Sequence, residues 1–502
     1  MSDSDSRVVQ GSETMQRVHI ELQRVQTWLF AVPRLRAMVG ANTLLGETLR
    51  IELPKLARQK GRWALAPIAS HTAYPAANSD DPLKEHDNPA ADAQDGMFSR
   101  DGGHFEAQFA SGAQAFAEEA RQLIQERLPG LRFRVTIDGK ELAKSRVHLS
   151  TELPVLAPCE WTGRGLASAI IEQGNERPAV SLDVESRQQA AKKSEEGHAL
   201  DLASLLLATT HLKSLQRPQD LDELAGKGYL ALIQADGNGV GSAAVDKSNS
   251  DRAAFFHRNR VLLRRALQKA INAHSSGQGQ APLVPLMLGG DDLLLVCRAE
   301  IALPFVVTLC KELDQIQSDN SNFKLTLGVG VVIAKPTVPI YRLHEVAEQL
   351  VSSAKRRVRG FAGNAARSVV DWAVYTTSWA DDPGEVRRRD WLCGASQELR
   401  ILSQRPLDVL GEGLGTLQAL VAGAAQLDNA PRSQLRYLVD QLSRGRALSE
   451  LAFEELSSES RKALNHAGVS TVWKPTSNNG PWLTELLDLV EVFEIARLGK
   501  SA

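Results

Sequence analysis

Residues 283–297 read LVPLMLGGDDLLLVC, in which two apolar runs enclose Gly289-Gly290-Asp291-Asp292. Short apolar runs bounded by turn residues are typical of buried β-strands. The pattern therefore predicts a β-hairpin with this tetrapeptide at its tip. We expect the two glycines to supply the positive φ angles that tight hairpin turns often demand. The hairpin would then hold both carboxylates at one edge of a sheet.

The segments on either side of the hairpin complete a β-α-β-β-α-β order. Besides the hairpin, the predicted elements are strands at 229–235 and 325–333 and helices at 251–273 and 301–317, and a further helix follows at 341–358. That order is the signature of a ferredoxin-like, split-βαβ sheet, so the expected fold class is α+β. In such a sheet the end of the first strand and the turn between the second and third strands share one edge.

This topology brings three carboxylates together, because Asp236 ends the first strand while Asp291 and Asp292 occupy the hairpin turn. Clustered carboxylates are costly unless they are protonated or bound to a cation. Mg²⁺ and Mn²⁺ prefer oxygen ligands. Two such ions can activate an attacking hydroxyl group and stabilise a leaving pyrophosphate. The sequence thus predicts a two-metal phosphoryl-transfer site, with these three aspartates as catalytic metal ligands.

Two neighbouring features are candidates for binding the phosphates of a nucleotide. The backbone N–H groups of Gly237, Asn238 and Gly239 could form an anion-binding nest, although the composition alone is that of an ordinary turn. Lys355, near the end of the helix at 341–358, could supply positive charge. Its position in a run of three basic residues also suits a solvated helix end.

The overall composition indicates an ordinary globular protein, with 43% hydrophobic residues, 24% charged residues and a formal net charge of −2. Its 502 residues are too many for one compact core. A chain that binds nucleic acid alone is usually more basic, so we expect such contacts to be local or shared with partner chains. The four cysteines form no CxxC pattern, and no apolar run is long enough to cross a membrane. We therefore expect a cytoplasmic protein.

The remaining sequence predicts several further regions. These are a disordered tail at 1–16, a strand at 18–22, helical spacing at 25–49 interrupted near Pro33 and Gly40, a surface loop with few anchors near 70–103, a helix at 113–128, a strand at 133–137, a domain junction at 217–220 and a helical domain at 381–502.

Two smaller features have alternative interpretations. His86-Asp87 lies within the loop, so we interpret it as loop and not as an HD-type metal site. Arg432, Arg436, Arg444 and Arg446 could form a basic helical face, either solvated or in contact with RNA.

With these residues considered, the chain resembles the large palm-containing, GGDD-bearing subunit of type III CRISPR effector complexes. ADGNGVG at 235–241 is similar to the family's D-G-D-x-M-G segment, with Asn238 in place of the second acid. LQRVQTWLF at 22–30 is similar to the entry of the first palm, and VGANTLL at 39–45 to its G-A-S-x-L-L helix. Family members commonly begin with an HD nuclease domain, and we expect this chain to be a form that lacks it.

The resemblance implies two ferredoxin-like palm domains, a degenerate one at 17–220 and a cyclase domain at 221–380, followed by the α-helical domain at 381–502. It implies conversion of ATP to cyclic oligoadenylates, with Mg²⁺ or Mn²⁺, in antiviral defence. Further subunits with guide and target RNA would be the partners, and no membrane is expected. The residues implied to bind the nucleotide are Asn42, near a base, Lys355, at the triphosphate, and the glycine-rich positions Gly237, Asn238, Gly239, Gly289 and Gly290.

Two other functions fit the same sequence. One is a subunit that serves mainly as a scaffold and binds RNA in an RNA-guided complex. The other is a GGDEF-like cyclic dinucleotide synthase, which would use the same chemistry on a different base.

Overall fold

The computed structural model describes residues 15–142, 157–163, 165–172, 177–226, 228–275, 279–317, 323–360, 366–376, 382–395, 398–477 and 480–499. Positions 1–14 of the expected tail lie outside these residues, and the first strand already begins at Gln16. No helix among the described residues is long and apolar enough to span a bilayer.

The first sheet has the strand order β2-β4-β1-β5-β6, with β3 also paired to β4. Its strands are β1 (Gln16–Gln23), β2 (Ala64–Leu65), β3 (Met97–Ser99), β4 (His104–Ser111), β5 (Arg132–Ile137) and β6 (Lys140–Glu141). The accompanying helices are α1 (Val25–Leu29), α2 (Leu35–Glu47), α3 (Leu53–Ala57), α4 (Pro89–Gln94) and α5 (Ala113–Arg127). Strand β1 lies between β4 and β5 and is antiparallel to both, which is the ferredoxin-like arrangement of a palm.

Two expectations for this region were wrong. Helix α2 continues through Gly40, and its backbone crosses the helix at Leu182–Glu195 there: a Cβ at Gly40 would lie 1.8 Å from the carbonyl oxygen of Arg187. The segment at 70–103 is also well anchored. It contains α4 and β3 and two buried aspartates, Asp81 and Asp87.

The segment between the palms contains β7 (Ala169–Ile170), β8 (Ala179–Val180), α6 (Leu182–Glu195), α7 (Leu202–Leu207) and α8 (Leu221–Ala225). The second palm consists of β9 (Leu230–Gly237), α9 (Val240–Ala243), α10 (Asn249–His274), β10 (Leu283–Leu288), β11 (Leu293–Arg298), α11 (Ala299–Gln315), β12 (Leu327–Ala334), α12 (Ile340–Arg359) and β13 (Val369–Tyr375). With strand β16 (Leu407–Asp408) from the C-terminal region, its sheet has the order β10-β11-β9-β12-β13-β16, so the ferredoxin-like core is confirmed and extended by two strands.

Successive residues of β9 face opposite sides of this sheet. Ala231, Ile233 and Ala235 pack into the core that contains α10 and α11. Leu230 and Leu232 pack into a second core, which the sheet shares with α12 and the first palm. The two palms are therefore joined through a continuous apolar interior.

The C-terminal region is mainly helical, as expected. Its elements are α13 (Pro383–Val386), β14 (Leu392–Cys393), β15 (Arg400–Ile401), β16 (Leu407–Asp408), α14 (Leu417–Gln426), α15 (Arg432–Arg444), α16 (Arg446–Glu454), α17 (Ser458–His466), β17 (Lys474–Pro475), β18 (Trp482–Leu483) and α18 (Leu486–Ile495). The short strands are an addition to the prediction. Strand β16 joins the second palm sheet, whereas the other four form a small sheet of their own.

Candidate functional site

The end of β9 and the turn between β10 and β11 lie at the same sheet edge. Ala235 is paired with Leu293, the residue that follows the turn. The N–H of Gly289 donates to the carbonyl oxygen of Asp292 at 2.9 Å, which closes the turn. The structure therefore brings Asp236, Asp291 and Asp292 together, as the strand order predicts.

The carboxylates approach one another and the backbone closely. Asp291 lies over Gly237, where an added Cβ would be 2.6 Å from its Oδ2 atom. The side chain of Asp292 lies close enough to that of Asp236 to share a hydrogen bond when one of the two carboxyl groups is protonated. Glycine at 237 is thus required for space, since any side chain there would displace Asp291.

The electrostatics of the edge favour a bound cation. Burial and the neighbouring Asp236 raise the pKa of Asp291 to about 6. Burial, Asp236 and Asp291 raise the pKa of Asp292 to about 8. Lys355 acts in the opposite direction on both groups without restoring their ordinary pKa values. Half-buried oxygen donors that repel one another are well suited to hold Mg²⁺ or Mn²⁺.

The expectation about the turn glycines was wrong. Neither Gly289 nor Gly290 has a φ in the positive range that is difficult for other residues. An added Cβ at Gly290 would meet no atom within 4 Å, and one at Gly289 would be 3.5 Å from the Cβ of Asp292. The backbone of this turn therefore does not demand glycine, and what the two glycines provide is open space beside the aspartates.

Lys355 and Asn238 flank the acidic edge. The Lys355 ammonium group forms an ion pair with Asp236. The side-chain amide of Asn238 donates to Thr326 Oγ1 at 3.0 Å, while its Oδ1 has no hydrogen-bond partner among the described residues. Gly328 lies between the two side chains. A Cβ added to Gly328 would be 3.1 Å from Asn238 Oδ1 and 2.9 Å from Lys355 Cγ. Both side chains thus border the same small space beside Asp236.

Asn42 lies elsewhere in the arrangement. It is on α2, and its side-chain amide donates to Asp201 Oδ1 at 2.8 Å. It also lines a cavity of about 40 Å³ with Val39, Leu283 and Pro285, at the start of β10. A cavity of that size holds a few water molecules and no nucleobase. A contact between Asn42 and a base therefore stays a prediction.

A second cluster of possible metal ligands belongs to a network of ion pairs. Asp81, Asp87 and His257 have ligand atoms within 4.8 Å of one another. However, Arg260 donates to both oxygens of Asp87 at 2.6 Å, and Arg264 bridges Asp81 and Asp87 at 2.8 and 2.6 Å. Cations already neutralise these carboxylates, so the residues do not fit a metal ion. The interpretation of His86-Asp87 as no HD-type metal site agrees with this geometry.

The expected basic face of the C-terminal region is largely neutralised. Arg432 and Arg436 both pair with Glu494. Arg446 lies near Glu398 and Glu450 and stacks on the ring of Trp482 at 3.5 Å. These contacts favour the solvated-face interpretation over a surface for RNA.

Part of the chain is similar in sequence to a known family. Residues 229–360 match the description Cas10/Cmr2, second palm domain. This segment contains the three aspartates, Asn238 and Lys355. No curated protein matches the chain.

Solved structures extend the similarity in fold over almost the whole chain. The Csm1-Csm4 cassette in complex with cA4 matches at 12% identity and a TM-score of 0.50, covering 96% of this chain and 70% of that one. The cassette in complex with cA3 matches at 12% identity and a TM-score of 0.50, covering 99% and 71%. Csm1 in T.onnurineus matches at 14% identity and a TM-score of 0.49, covering 98% and 70%.

Proposed function

We propose that this chain, whose residues 229–360 match the second palm domain of Cas10/Cmr2, is a nucleotidyltransferase that converts ATP into cyclic oligoadenylates. The observation that carries the proposal is the acidic edge: three carboxylates from β9 and the β10–β11 turn, two with raised pKa values. Similar folds have been solved with cA3 and cA4, which supports a cyclic oligonucleotide as the product.

The residues of the edge have distinct roles in this proposal. Asp236, Asp291 and Asp292 would hold Mg²⁺ or Mn²⁺. Bound metal would activate the attacking 3′-hydroxyl group and neutralise charge on the leaving pyrophosphate. Lys355 would leave Asp236 as the carboxylate takes up its metal, and would then bind the triphosphate.

The neighbouring turn would orient the nucleotide. Gly239 adopts the left-handed conformation (φ 68°) that begins α9, which suits a turn that presents backbone N–H groups to an anion. Asn238 stands in place of an acid, and Thr326 fixes its orientation. It would offer Oδ1 as a neutral acceptor and add no further negative charge beside the three carboxylates.

We further propose that the chain works as a subunit of a type III-like effector complex with guide and target RNA. The two similar structures with a TM-score of 0.50 are of Csm1 with Csm4, which supports a partner subunit for this chain. The formal net charge of −2 and the paired arginines of the C-terminal region argue against RNA binding by this chain alone.

The test is incubation of the purified protein with Mg²⁺ or Mn²⁺ and each nucleoside triphosphate, with and without candidate activator RNA, followed by mass spectrometry. We expect cyclic products from ATP. Cyclic products from GTP alone would instead support the GGDEF-like alternative. RNA binding without turnover under any condition would leave only the scaffold function.

The matched control separates the site from the fold. Asp291→Asn/Asp292→Asn should abolish turnover. Asp314→Asn removes an exposed carboxylate of the same domain, one that pairs with Lys324 at 2.6 Å, and should keep wild-type activity. Equal activity of all three proteins would refute the catalytic assignment.

A further inference from the structure

The turn that links β3 to β4 in the first palm lies at the edge that corresponds to the acidic edge of the second. It reads Arg100-Asp101-Gly102-Gly103, and Glu21 near the end of β1 is paired with His104 after the turn. The position is therefore that of a palm active site. However, the Arg50 guanidinium group, which is 4% exposed, forms an ion pair with Asp101 and donates to the carbonyl oxygen of His86.

Asp87, which follows His86 in the sequence, contacts the second palm. It is 2% exposed and accepts two hydrogen bonds from Arg260 and one from Arg264, both on α10. Arg264 is fully buried and also binds Asp81 at 2.8 Å. Burial alone would raise the pKa of Asp87, but the two arginines hold it well below its usual range.

An apolar contact accompanies the ion pairs. Ile68, Tyr74 and Ala93 of the first palm form a small buried cluster against which Ala253 of α10 packs. Helix α10 thus contacts the first palm through both kinds of contact, with Ala253 near its start and Arg260 and Arg264 in its middle. The chain reaches α10 from β9 through the turn at 236–239 and the short helix α9.

We propose that Asp81, Asp87, Arg260 and Arg264 form an inter-palm clamp, by which the inactive edge of the first palm positions helix α10 and the catalytic turn at 236–239. The four residues are positioning residues, since none of them lies at the acidic edge. The clamp follows from the contacts alone, whereas its effect on catalysis rests on the proposed function.

The clamp is tested first by stability and hydrogen exchange. Asp87→Asn removes the carboxylate that pairs with Arg260 and one of the two buried carboxylates that pair with Arg264. We expect the melting temperature to fall by roughly 6–10 °C and exchange at 80–94 and 253–264 to increase at least about tenfold. The control is Asp80→Asn: Asp80 pairs with Arg265 at 3.1 Å between the same two segments but is exposed, so we expect a shift of about 1 °C or less. Equal behaviour of the two variants would refute the clamp.

Positioning is tested on folded protein, well below the melting temperature of each variant. A displaced turn should weaken Mn²⁺ binding, followed by electron paramagnetic resonance, by about tenfold. It should also lower kcat for ATP by roughly 10- to 100-fold with little change in KM. Arg260→Lys keeps the charge but loses the two-point contact, and it should fall between wild type and Asp87→Asn.

The outcomes separate the two proposals. If Asp87→Asn is less stable but binds Mn²⁺ and turns over ATP like the wild type, the clamp is structural only and the positioning role is wrong. If the wild type turns over no nucleotide, the proposed function fails, while Mn²⁺ affinity still decides whether the clamp positions the acidic edge. If Asp87→Asn does not fold, the milder Arg260→Lys provides the same comparison.

Discussion

The two palms place a β-hairpin turn at corresponding sheet edges but surround it with different charges. In the first palm, Asp101 faces the buried Arg50, which holds its pKa below the usual range although burial opposes this. In the second palm, burial and neighbouring carboxylates raise the pKa values of Asp291 and Asp292. In the first palm an arginine neutralises the carboxylate at the edge, whereas in the second palm the carboxylates at the edge outnumber the nearby cations.

The difference indicates how one topology can suit either a structural joint or a site for a cation. A carboxylate with a buried arginine gains nothing from an added cation, because its oxygens are already bound. Carboxylates that raise one another's pKa are stabilised when a cation arrives. Charge balance at the edge therefore distinguishes the two palms better than strand order does.

The largest expected effect is at the acidic edge. Asp292→Asn removes a proposed metal ligand, and we expect turnover to fall at least about 10³-fold, because metal contributes several kcal/mol to the transition state. The metal-free variant should melt no lower than the wild type, since repulsion is relieved. Initial rates and melting in EDTA measure both. Turnover within tenfold of the wild type would remove Asp292 from the site.

The corresponding change in the first palm should act first on stability, because Asp101 is not a proposed metal ligand. Asp101→Asn leaves Arg50 buried and unpaired, so we expect a loss of about 3 kcal/mol in the free energy of unfolding of this palm, measured in urea. Asp95→Asn is the control, because Asp95 pairs with Arg58 at 2.8 Å with both side chains about half exposed. It should cost less than about 1 kcal/mol. The comparison of the palms fails if both variants lose the same amount.

A smaller effect is expected from the backbone beneath Asp291. Gly237→Ala places a methyl group 2.6 Å from Asp291 Oδ2, so the carboxylate must move. We expect kcat to fall by about 30-fold, in line with misplacement of a catalytic group. Gly241→Ala, where an added Cβ meets nothing within 4 Å, should keep wild-type kinetics. Similar kinetics for the two variants would show that Asp291 does not depend on this contact.

The second palm could be predicted in detail from the sequence. Long apolar runs with turn residues between them indicate the order of strands and helices along the chain. This order predicts the pairing of the strands in the sheet, which places Asp236 beside Asp291 and Asp292. The family resemblance indicated the first palm. Strand β13 was missed because it lies beyond the ferredoxin-like order, and β16 because a two-residue pairing leaves no periodicity in the sequence.

The role of the segment at 70–103 could not be predicted. Its Asp, Asn and Pro content suits a solvated loop. The arginines that form ion pairs with Asp81 and Asp87 lie more than 170 residues away in the sequence, so no local pattern indicates the pairing. One signal was present, since Arg100-Asp101-Gly102-Gly103 resembles a GGDD turn read in reverse. An arginine in place of one acid indicates an edge with less negative charge. The absence of positive φ at Gly289 and Gly290 depends on backbone geometry, which sequence does not reveal.

The smallest effect is a pH dependence that the two palms should not share. Because the pKa of Asp292 is about 8, metal must displace a proton at neutral pH. We expect Mn²⁺ affinity to rise about fivefold from pH 7 to pH 8, as the ionised fraction of such a group does. Isothermal titration calorimetry measures it, and Asp292→Asn should show a flatter dependence.

Without metal, the same groups should lower stability as the pH rises. Between the ordinary aspartate pKa of 3.8 and the raised values of about 6 and 8, the native protein holds more protons than the unfolded chain. The free energy of unfolding attributable to these groups therefore falls with rising pH in that window. Melting in EDTA at pH 5 and pH 8 should show a smaller drop for Asp292→Asn than for the wild type. An identical drop would mean that the acidic edge does not carry the repulsion that distinguishes it from the first palm.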